Sequence, residues 1–409
     1  MVKSVLMIAF HTPPMQGSSG VLRTMNFARH LPRHGWNALI LSANTRAYVE
    51  TGIDSDANAP LIERSFALDA ARHLAVGGRY PTMLALPDRW ASWWLSAVPA
   101  ALRLVRRHRP QLVWSTYPIA TAHLIGMSVH RITGIPWVAD MRDPMTDAGY
   151  PAQRWPRKAF QWIEAHAAAR CARLVCTTPG AVNMYRTRYP HVARERFCLI
   201  ENGYDEAAFG SAPSRGTVRT RIRLVHSGLI YPSERDPSAL LAALSLLKNG
   251  GAIDGASFHL VLRACGHDHY LRAHIDALGL RGLIELAPPL PYHQAIAEMQ
   301  DADGLLLLQA SNCNAQIPAK LYEYLRAGRP ILALTDRFGD TAVKLRAFGI
   351  DTIAALDSTP DIVQAILRFL EMIRSHSAPV ANPHAVRSES RRARSAQLAT
   401  LFNHIVDPS

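Results

Sequence analysis

The chain has 409 residues, of which 48% are hydrophobic and 19% charged, and its formal net charge is +13. This composition excludes a wholly disordered chain, and the length predicts two domains of ordinary size. The five cysteines are an odd number without a Cys-x-x-Cys pair, so they favour a reducing compartment over a disulfide framework.

The basic excess predicts an anionic partner. Phosphorylated small molecules, an anionic membrane surface and nucleic acid all qualify. Nucleic acid is not expected, because the chain has no zinc finger, RNA-recognition signature or regular basic–aromatic interleaving. The N-terminal segment is too short and too poorly flanked for a signal peptide, and no run of about 18 apolar residues occurs. We expect a cytoplasmic protein, peripheral on the inner face of the plasma membrane.

The first elements alternate as in a doubly wound α/β sheet. Residues 5–10 and 38–42 are predicted strands, and a helix ending near residue 34 lies between them. The loop before this helix contains two glycines, which are too few for a dinucleotide fingerprint. Its small residues would instead let a ligand approach the backbone; they are Gly17, Ser18, Ser19 and Gly20.

Aromatic residues next to a basic cluster follow the weakly patterned stretch 43–92. Trp90, Trp93 and Trp94 precede a helix with four arginines near its end. Such a segment indicates either an interfacial membrane contact or tryptophans packed inside the first domain, and the second is favoured. The arginines are Arg103, Arg106, Arg107 and Arg109.

Two acids and an arginine follow the predicted strand 136–139: Asp140, Arg142 and Asp143. Open α/β sheets bind ligands at the carboxyl ends of their strands, so the two acids are candidate catalytic groups. The alternative is a structural pair between an aspartate and Arg142.

The second half restarts the βα alternation at residue 222, after a tight turn at 201–205 and a polar linker at 211–221. Asp301-Ala302-Asp303 spells D-x-D, a pattern that binds metal in a different fold. Here it precedes the predicted strand 304–308, at the amino edge of the sheet and away from ligands. A structural role and no metal site are predicted.

The most informative stretch is QIPAKLYEYLRAGRPILAL, residues 316–334. Pro318 suits the first turn of a helix, and Gly328 and Pro330 end that helix before a buried strand at 331–334. A helix that leads into a parallel strand ends at the amino edge of the sheet, so it begins at the carboxyl edge. A helix N-terminus at that edge favours binding of a phosphate.

Lys320, Glu323 and Tyr324 share one face of this helix, at positions i, i+3 and i+4. A lysine and a carboxylate there suit a ribose diphosphate, because the lysine meets negative charge and the carboxylate accepts hydroxyl protons. The alternative is an ordinary surface pair of a lysine and a glutamate.

The pattern P-x-K-x-x-E-Y-L-x-x-G-x-P from Pro318 resembles the nucleotide-sugar segment of retaining GT-B glycosyltransferases of group 1, family 4, in a bacterial surface-polysaccharide-type subgroup. The resemblance covers nearly the whole chain and includes GIPWVADMRDP at 134–144. It implies two Rossmann-like domains facing a central cleft, residues 1–206 and 222–383, joined by a linker at 207–221. A C-terminal helix at about 384–409 would cross back to the first domain.

The resemblance also assigns donor-binding residues. In the family the second glutamate of an E-x7-E motif binds the donor ribose, and Glu323 takes its place, whereas Ala315 replaces the first glutamate. Asn314 and Gln316 are the nearest substitutes for holding the transferred sugar. Arg235 and Lys320 would hold the diphosphate. The remaining donor-side residues are Gly228, Gly266 beside the base, Ile317 and Tyr324.

The first domain would supply the acceptor side and part of the catalytic set. The resemblance places Gly17, Ser18, Ser19 and Gly20 in a loop that faces the acceptor and the donor phosphates, with His11 beside it. Asp140 and Asp143 are counted among the catalytic residues because of their place after a strand. Neither a metal nor a cofactor is implied, since the nucleotide sugar is itself a substrate.

The implied activity is metal-independent transfer of a hexosyl-type sugar from a nucleotide-sugar donor to a glycan, lipid-linked or small-molecule acceptor, with retention of configuration. Two alternatives stay open. A non-catalytic GT-B partner subunit is suggested by Ala315, and a sugar-nucleotide epimerase shares the architecture but would carry more acid/base residues.

Overall fold

The computed structural model describes residues 2–15, 19–49, 60–147, 149–210 and 221–407. The chain divides into two compact units, one of residues 1–202 and 391–409 and the other of residues 203–390. These boundaries lie a few residues from the sequence-based ones at 206 and 384. Of the predicted linker at 207–221, residues 211–220 lie outside the described residues, and 207–210 and 221 belong to the second unit.

The first unit is built on a parallel sheet with the strand order β3-β2-β1-β4-β5-β6-β7. The order turns back between β1 and β4, which makes that position the topological switch point. The strands are β1 (Lys3–Ile8), β2 (Trp36–Ala43), β3 (Ile62–Ser65), β4 (Leu112–Thr116), β5 (Trp137–Met141), β6 (Arg173–Cys176) and β7 (Phe197–Leu199). The helices are α1 (Ser19–His30), α2 (Ala70–His73), α3 (Trp93–His108), α4 (Ala120–Thr133), α5 (Arg154–Arg170) and α6 (Pro179–Arg188).

Helices cover both faces of this sheet, as the apolar strands require. Leu6 and Ile8 of β1 pack into one hydrophobic cluster, whereas Val5 and Met7 pack into another. Alternate residues of a strand point to opposite faces, so a strand buried on both faces must be apolar at every position. The doubly wound fold expected from the sequence is therefore confirmed.

The tryptophans around the start of α3 pack inside the first unit. Trp93 is fully buried, the ring of Trp90 lies 4.8 Å from that of Phe10, and Trp94 Nε1 donates to Ser128 Oγ at 2.9 Å. The alternative of internal packing is confirmed, and the hypothesis that these rings form an interfacial membrane contact is wrong. A ring fixed between strands and helices cannot insert into lipid.

The second unit is also a parallel α/β sheet, with the strand order β10-β9-β8-β11-β12-β13. Its switch point lies between β8 and β11. The strands are β8 (Ile222–Ser227), β9 (Phe258–Arg263), β10 (Ile284–Ala287), β11 (Gly304–Leu308), β12 (Ile331–Leu334) and β13 (Ile353–Ala354). The helices are α7 (Pro232–Arg235), α8 (Ser238–Asn249), α9 (Asp268–Ala277), α10 (Tyr292–Asp301), α11 (Lys320–Ala327), α12 (Asp340–Ala347), α13 (Thr359–Arg374) and α14 (Pro383–Val386).

The last helix, α15 (Arg391–Val406), belongs to the first unit, as expected. Leu398 and Phe402 are buried in the cluster that also contains Trp36. Arg394 Nη2 forms an ion pair with Glu201 Oε2 at 2.6 Å, where the chain leaves the first unit. The chain therefore starts and ends in the same unit.

The D-x-D pattern has a structural role, as predicted. Asp303 Oδ2 accepts from the backbone N–H of Arg223 at 2.8 Å, and Asp301 lies 3.4 Å from the Arg223 guanidinium. Both acids flank the start of β11, at the amino edge. In the described ranges, no three His, Cys, Asp or Glu side chains are placed to hold a metal ion together. None of the described helices combines the length and apolar character needed to cross a bilayer.

Candidate functional site

A crevice opens at the carboxyl edge of the second sheet, where β8 and β11 separate. The two strands pair at Leu224–Gly304 and Val225–Leu305. Beyond that point side chains link them: His226 Nδ1 lies 2.9 Å from Leu306 O, and the backbone N–H of Ser227 donates to Tyr324 Oη at 2.9 Å. Since this is the topological switch point, it is where a doubly wound sheet binds its ligand.

Tyr324 contacts both strands that border the crevice, through Ser227 of β8 and Leu306 of β11. Its ring is fully buried, and its hydroxyl accepts from Ser227 and lies 3.4 Å from Leu306 O. Burial raises the pKa of this phenol, so it stays protonated. The sequence analysis expected Tyr324 to contact the nucleotide-sugar donor directly. Its buried position does not fit such a contact, because backbone groups already bind its hydroxyl inside the core.

Lys320 and His226 meet in the crevice, with Lys320 Nζ 3.2 Å from His226 Nε2. Burial, reinforced by Lys320, lowers the pKa of His226 well below its usual value, so the imidazole is neutral. Its Nδ1 lies 2.9 Å from Leu306 O, and its Nε2 lies 3.1 Å from Gly228 O as well as near the lysine, so the single proton of the neutral ring can be donated to either carbonyl. The surface of Lys320 is partly accessible, yet protein surrounds the amine so densely that burial lowers its pKa well below the usual value.

A second cation stands close to this lysine. Arg235, at the end of α7, donates through Nη1 to Leu229 O at 2.8 Å, and its charge further lowers the pKa of Lys320. The carboxylate of Glu323 acts in the opposite sense and raises the pKa of Lys320, but the lowering by burial and by Arg235 is larger. A lysine and an arginine that lie close together form a site for an anion.

Glu323 lies one helical turn beyond Lys320 on α11 and is 8% exposed. Its Oε1 accepts from the hydroxyl of Tyr292, at the start of α10, at 2.7 Å. This bond orients the carboxylate. The shared face of Lys320 and Glu323 expected from the sequence is confirmed.

Two glycines bring backbone close to the crevice. Gly228 has φ +101°, and a Cβ there would stand 3.1 Å from Lys320 Nζ. Gly266, with φ +62°, lies in a turn after β9 in which Ala264 and His267 also have positive φ. A run of left-handed residues is costly and clusters at ligand sites, so this turn is the second element of the candidate site.

The loop after β11 places Asn314, Gln316 and Ile317 between the crevice and α12. Asn314 Nδ2 donates to Asp336 Oδ2 at 2.7 Å, and its buried Oδ1 has no donor among the described residues. The carbonyl of Gln316 accepts from Gln309 Nε2 at 2.9 Å, while Ile317 is buried in the core. Ile317 therefore anchors the loop and contacts a ligand at most through its backbone.

A cavity of about 780 Å³ opens farther along the same edge, at the ends of β11, β12 and β13. Its charged lining is mainly acidic, with Arg337 as the one cation among its lining residues. Negative charge disfavours a diphosphate there, so Lys320 and Arg235 mark the phosphate site instead. The acids are Asp236, Asp336, Asp357 and Asp361.

In the first unit, Asp140 forms a buried ion pair with Arg23 rather than with Arg142. Asp140 lies within β5, not beyond it, and is fully buried. Arg23 donates to it through Nη2 at 2.7 Å and Nε at 3.1 Å, and Thr116 Oγ1 donates at 2.8 Å. The catalytic role expected for Asp140 does not fit a carboxylate enclosed in this way; it positions Arg23 and the strand end. Asp143, by contrast, is exposed.

The start of α1 packs tightly against the end of β5. A Cβ on Gly20 would lie 2.2 Å from Arg142 Nη1 and 3.0 Å from His11 Nδ1, so only glycine leaves room for the guanidinium. Burial and the charge of Arg142 lower the pKa of His11 to about 4. Gly17, Ser18 and the side chain of Ser19 lie outside the described residues.

Comparison with known proteins shows what this chain is similar to. Residues 20–203 match the family model of the glycosyl transferase 4-like domain. Residues 20–203 are therefore similar to a glycosyl transferase 4-like domain, and the chain as a whole has the GT-B fold. No curated protein sequence gives a significant match.

Solved structures similar to this GT-B protein cover its whole length. Sucrose-phosphate synthase from Thermosynechococcus elongatus is 13% identical with a TM-score of 0.71, and all of each chain is covered. Anabaena HepE in complex with UDP and glucose is 14% identical, with a TM-score of 0.67 and coverage of 98% and 99%. A putative UDP-N-acetylglucosamine 2-epimerase from Listeria monocytogenes is 12% identical, with a TM-score of 0.62 and coverage of 99% and 97%. At these identities the likeness shows the fold.

Several site residues of this GT-B protein escaped the sequence analysis. His226 carries a recognisable signal, because it is a polar residue inside the apolar strand before Gly228. Arg23 likewise stands among apolar residues of α1. Tyr292 carries none, since it lies 31 positions before Glu323, with the strand β11 between them.

Proposed function

We propose that this protein transfers a sugar from a nucleoside-diphosphate sugar to an acceptor with retention of configuration, without a metal. The second unit holds the donor, and the first holds a glycan or lipid-linked acceptor. The observation that carries the proposal is the pair of cations, Lys320 and Arg235, at the switch point between β8 and β11. A diphosphate matches both their charge and their place at the sheet edge.

The ribose side of the proposal rests on Glu323. Its carboxylate is oriented by Tyr292 and lies one turn from Lys320, so ribose hydroxyls and diphosphate can be bound from one helix. The turn with Gly266 gives the base a close approach to backbone. That HepE, of the same fold, binds UDP and glucose supports a nucleotide in this place.

The sugar itself is assigned to the loop after β11. Ala315 stands where the family has the first glutamate, and the neighbouring Asn314 presents a buried oxygen in need of a donor. A sugar hydroxyl would satisfy it, because a hydroxyl donates where an amide oxygen accepts. Gln316 is the second candidate, with its main chain held by Gln309.

In the proposed reaction, the bond between the anomeric carbon and the diphosphate oxygen breaks. The bond from that carbon to the acceptor oxygen forms on the same face of the sugar, and the acceptor proton passes to the leaving phosphate. No protein nucleophile is needed. Lys320 and Arg235 stabilise the charge that develops on the diphosphate, which is the largest contribution a protein makes to such transfers. Asp143, exposed at the end of β5, would orient the acceptor hydroxyl.

Two other functions remain as alternatives within the same fold. An epimerase is represented among the similar structures, but the crevice contains a neutral histidine and a lysine of lowered pKa rather than paired acids. A non-catalytic partner subunit would keep the fold and lose turnover. The epimerase, the non-catalytic subunit and the glycosyltransferase each predict a different outcome in one experiment.

The experiment combines a ligand panel with product analysis. Thermal shifts with UDP, GDP, ADP, TDP and CMP identify the nucleotide, because a ligand at 100 times its Kd adds about 2.7 kcal/mol to the free energy of unfolding. The matching nucleotide sugar is then incubated with the protein, with and without EDTA. We expect slow donor hydrolysis that EDTA does not change, and proton NMR of the glycosylated product to show the donor's anomeric configuration. Nucleotide binding without hydrolysis or transfer would indicate a silent subunit, and a changed sugar in the donor would indicate an epimerase.

A further inference from the structure

The outer face of α5 in the first unit carries two exposed tryptophans. Trp155 is 57% exposed and Trp162 is 49% exposed, whereas Trp36, Trp93, Trp114 and Trp137 are fully buried. Residues seven apart lie nearly in line on an α-helix, so the two rings form one stripe about 10 Å long. The opposite face, with Phe160, Ile163 and Ala167, is packed into the core, so α5 is fixed with this stripe outward.

The stripe is bordered by cations. The guanidinium of Arg154 lies 5.4 Å and the ammonium of Lys158 lies 5.5 Å from the ring of Trp155. The ring of His166 packs at a tilt against Trp162, with the ring centroids 4.1 Å apart. The single acid of α5, Glu164, points inward and pairs with Arg188 at 2.5 Å. The nearest exposed acid before the helix, Asp147, accepts from the backbone N–H groups of Gly149 and Tyr150.

We propose that this stripe, Trp155 and Trp162 with Arg154 and Lys158, binds the headgroup region of an anionic lipid surface. Tryptophan prefers the membrane–water boundary because its ring is apolar and its N–H is polar. Lysine and arginine beside it meet lipid phosphates, each contributing roughly fivefold to binding near an anionic surface. The buried inner face limits insertion to the depth of the side chains.

The position of the stripe matters for the acceptor. Since α5 follows β5, it begins on the carboxyl side of the first sheet, the side of Gly20 and Asp143. A lipid-linked acceptor would reach that side from the bound surface; this consequence alone rests on the proposed function. The lipid contact itself does not depend on catalysis.

Vesicle co-sedimentation of the full-length protein tests the proposal, with vesicles of phosphatidylcholine alone and with 30% phosphatidylglycerol. We expect binding to the anionic vesicles that weakens with salt. Arg154→Ala/Lys158→Ala should lower the partition coefficient about thirtyfold, as expected for two basic residues near the surface. Trp155→Ala/Trp162→Ala should also lower it. The matched control is Arg106→Ala/Arg107→Ala, which removes two charges from the exposed end of α3 and should change the coefficient less than twofold.

A second measurement reports on depth. Brominated lipids quench nearby tryptophans, and we expect quenching in the wild type that disappears in Trp155→Ala/Trp162→Ala while the circular dichroism spectrum is unchanged. Equal loss of binding in the α3 and α5 charge variants would overturn the proposal in favour of a non-local effect of net charge. Wild-type vesicle binding by the α5 variants would overturn it too. If those variants instead lose affinity for a labelled RNA, the stripe is a nucleic-acid interface and the lipid assignment is wrong. If they lose self-association in sedimentation velocity, the stripe is a protein interface and the lipid assignment is likewise wrong.

Discussion

Nζ of Lys320 lies 3.2 Å from Nε2 of His226, and burial lowers the pKa of both groups. Burial therefore disfavours the charged form of both groups, whereas an exposed lysine would keep its charge in water. The ammonium form of Lys320 is therefore disfavoured in the free protein and becomes favourable when an anion binds. The first two predictions follow from that arrangement.

Replacing Lys320 by methionine should stabilise the protein while abolishing nucleoside-diphosphate binding. A lysine with a lowered folded-state pKa destabilises the folded protein at neutral pH, because the unfolded chain binds the proton more strongly. Removing it should add about 1 kcal/mol, or roughly 2–4 °C in melting temperature for a domain of this size. Thermal melts with and without the preferred nucleotide check both parts.

The pH dependence gives the control for this prediction. Wild-type stability should rise with pH through the range between the lowered pKa and the unfolded value near 10.4, where the unfolded chain also loses its proton. The advantage of Lys320→Met should therefore shrink between pH 7 and pH 10. An advantage that stays constant would mean that the lysine is charged in the folded protein.

Diphosphate binding should take up a proton. The bound anion favours the ammonium form of Lys320, whose pKa in the free protein is lowered by burial and then by Arg235. Affinity should accordingly fall as the pH rises through that lowered value. Titration calorimetry in two buffers of different ionisation enthalpy measures the uptake, which should vanish in Lys320→Met. The same uptake in that variant would assign the proton to another group.

Removing Arg235 should weaken nucleoside-diphosphate binding about 10- to 150-fold, the usual range for a lost charged hydrogen bond. The matched control is Arg272→Ala, an exposed arginine on α9 of the same unit, which should leave the affinity unchanged. Calorimetry on both variants checks this. Equal losses would point to long-range attraction by net charge, and no loss in Arg235→Ala would contradict the phosphate assignment.

Glu323 should bind a ribose hydroxyl, and Tyr292 should position it. Wild type and Glu323→Ala are titrated with the preferred nucleotide and its 2′- and 3′-deoxy forms. Removing either the carboxylate or the ribose hydroxyl should cost on the order of 1–3 kcal/mol of binding free energy. Removing both groups should cost little more than removing one of them. Tyr292→Phe should lose about fivefold in affinity, since Glu323 Oε1 then lacks its 2.7 Å donor. Additive losses for both hydroxyls would exclude the ribose role.

The Arg23–Asp140 pair should prove structural. Asp140→Ala alone should destabilise the protein by about 3–5 kcal/mol, because it leaves a buried guanidinium unpaired. The double change Arg23→Met/Asp140→Leu should recover most of that loss, since buried ion pairs can be replaced by apolar residues at little cost. Chemical unfolding gives the free energies. If Asp140→Ala kept wild-type stability but lost turnover at unchanged donor KM, Asp140 would have a direct catalytic role.

Local sequence was enough to predict the elements that position the donor site. The bounds of β8, β11 and β12 agree with the sequence-based strands, because each is a short apolar run between glycine, proline or polar residues. Gly328 ends α11 with φ +65°, the left-handed conformation that glycine adopts freely. Helical periodicity likewise predicted that Lys320 and Glu323 share a face. These features depend on neighbours within about one or two turns of chain.

Only the tertiary structure decided which distant groups meet. Asp140 pairs with Arg23, 117 residues away, and not with Arg142 two positions along, because Asp140 is enclosed within β5 and reaches α1. Lys320 meets His226 across 94 residues, since the strand order brings β8 beside β11. Periodicity states which side chains share a face, but the order of strands in a sheet depends on packing of the whole chain. The burial that lowers the pKa of Lys320 arises from that packing, so the chemistry of the site belongs to the fold.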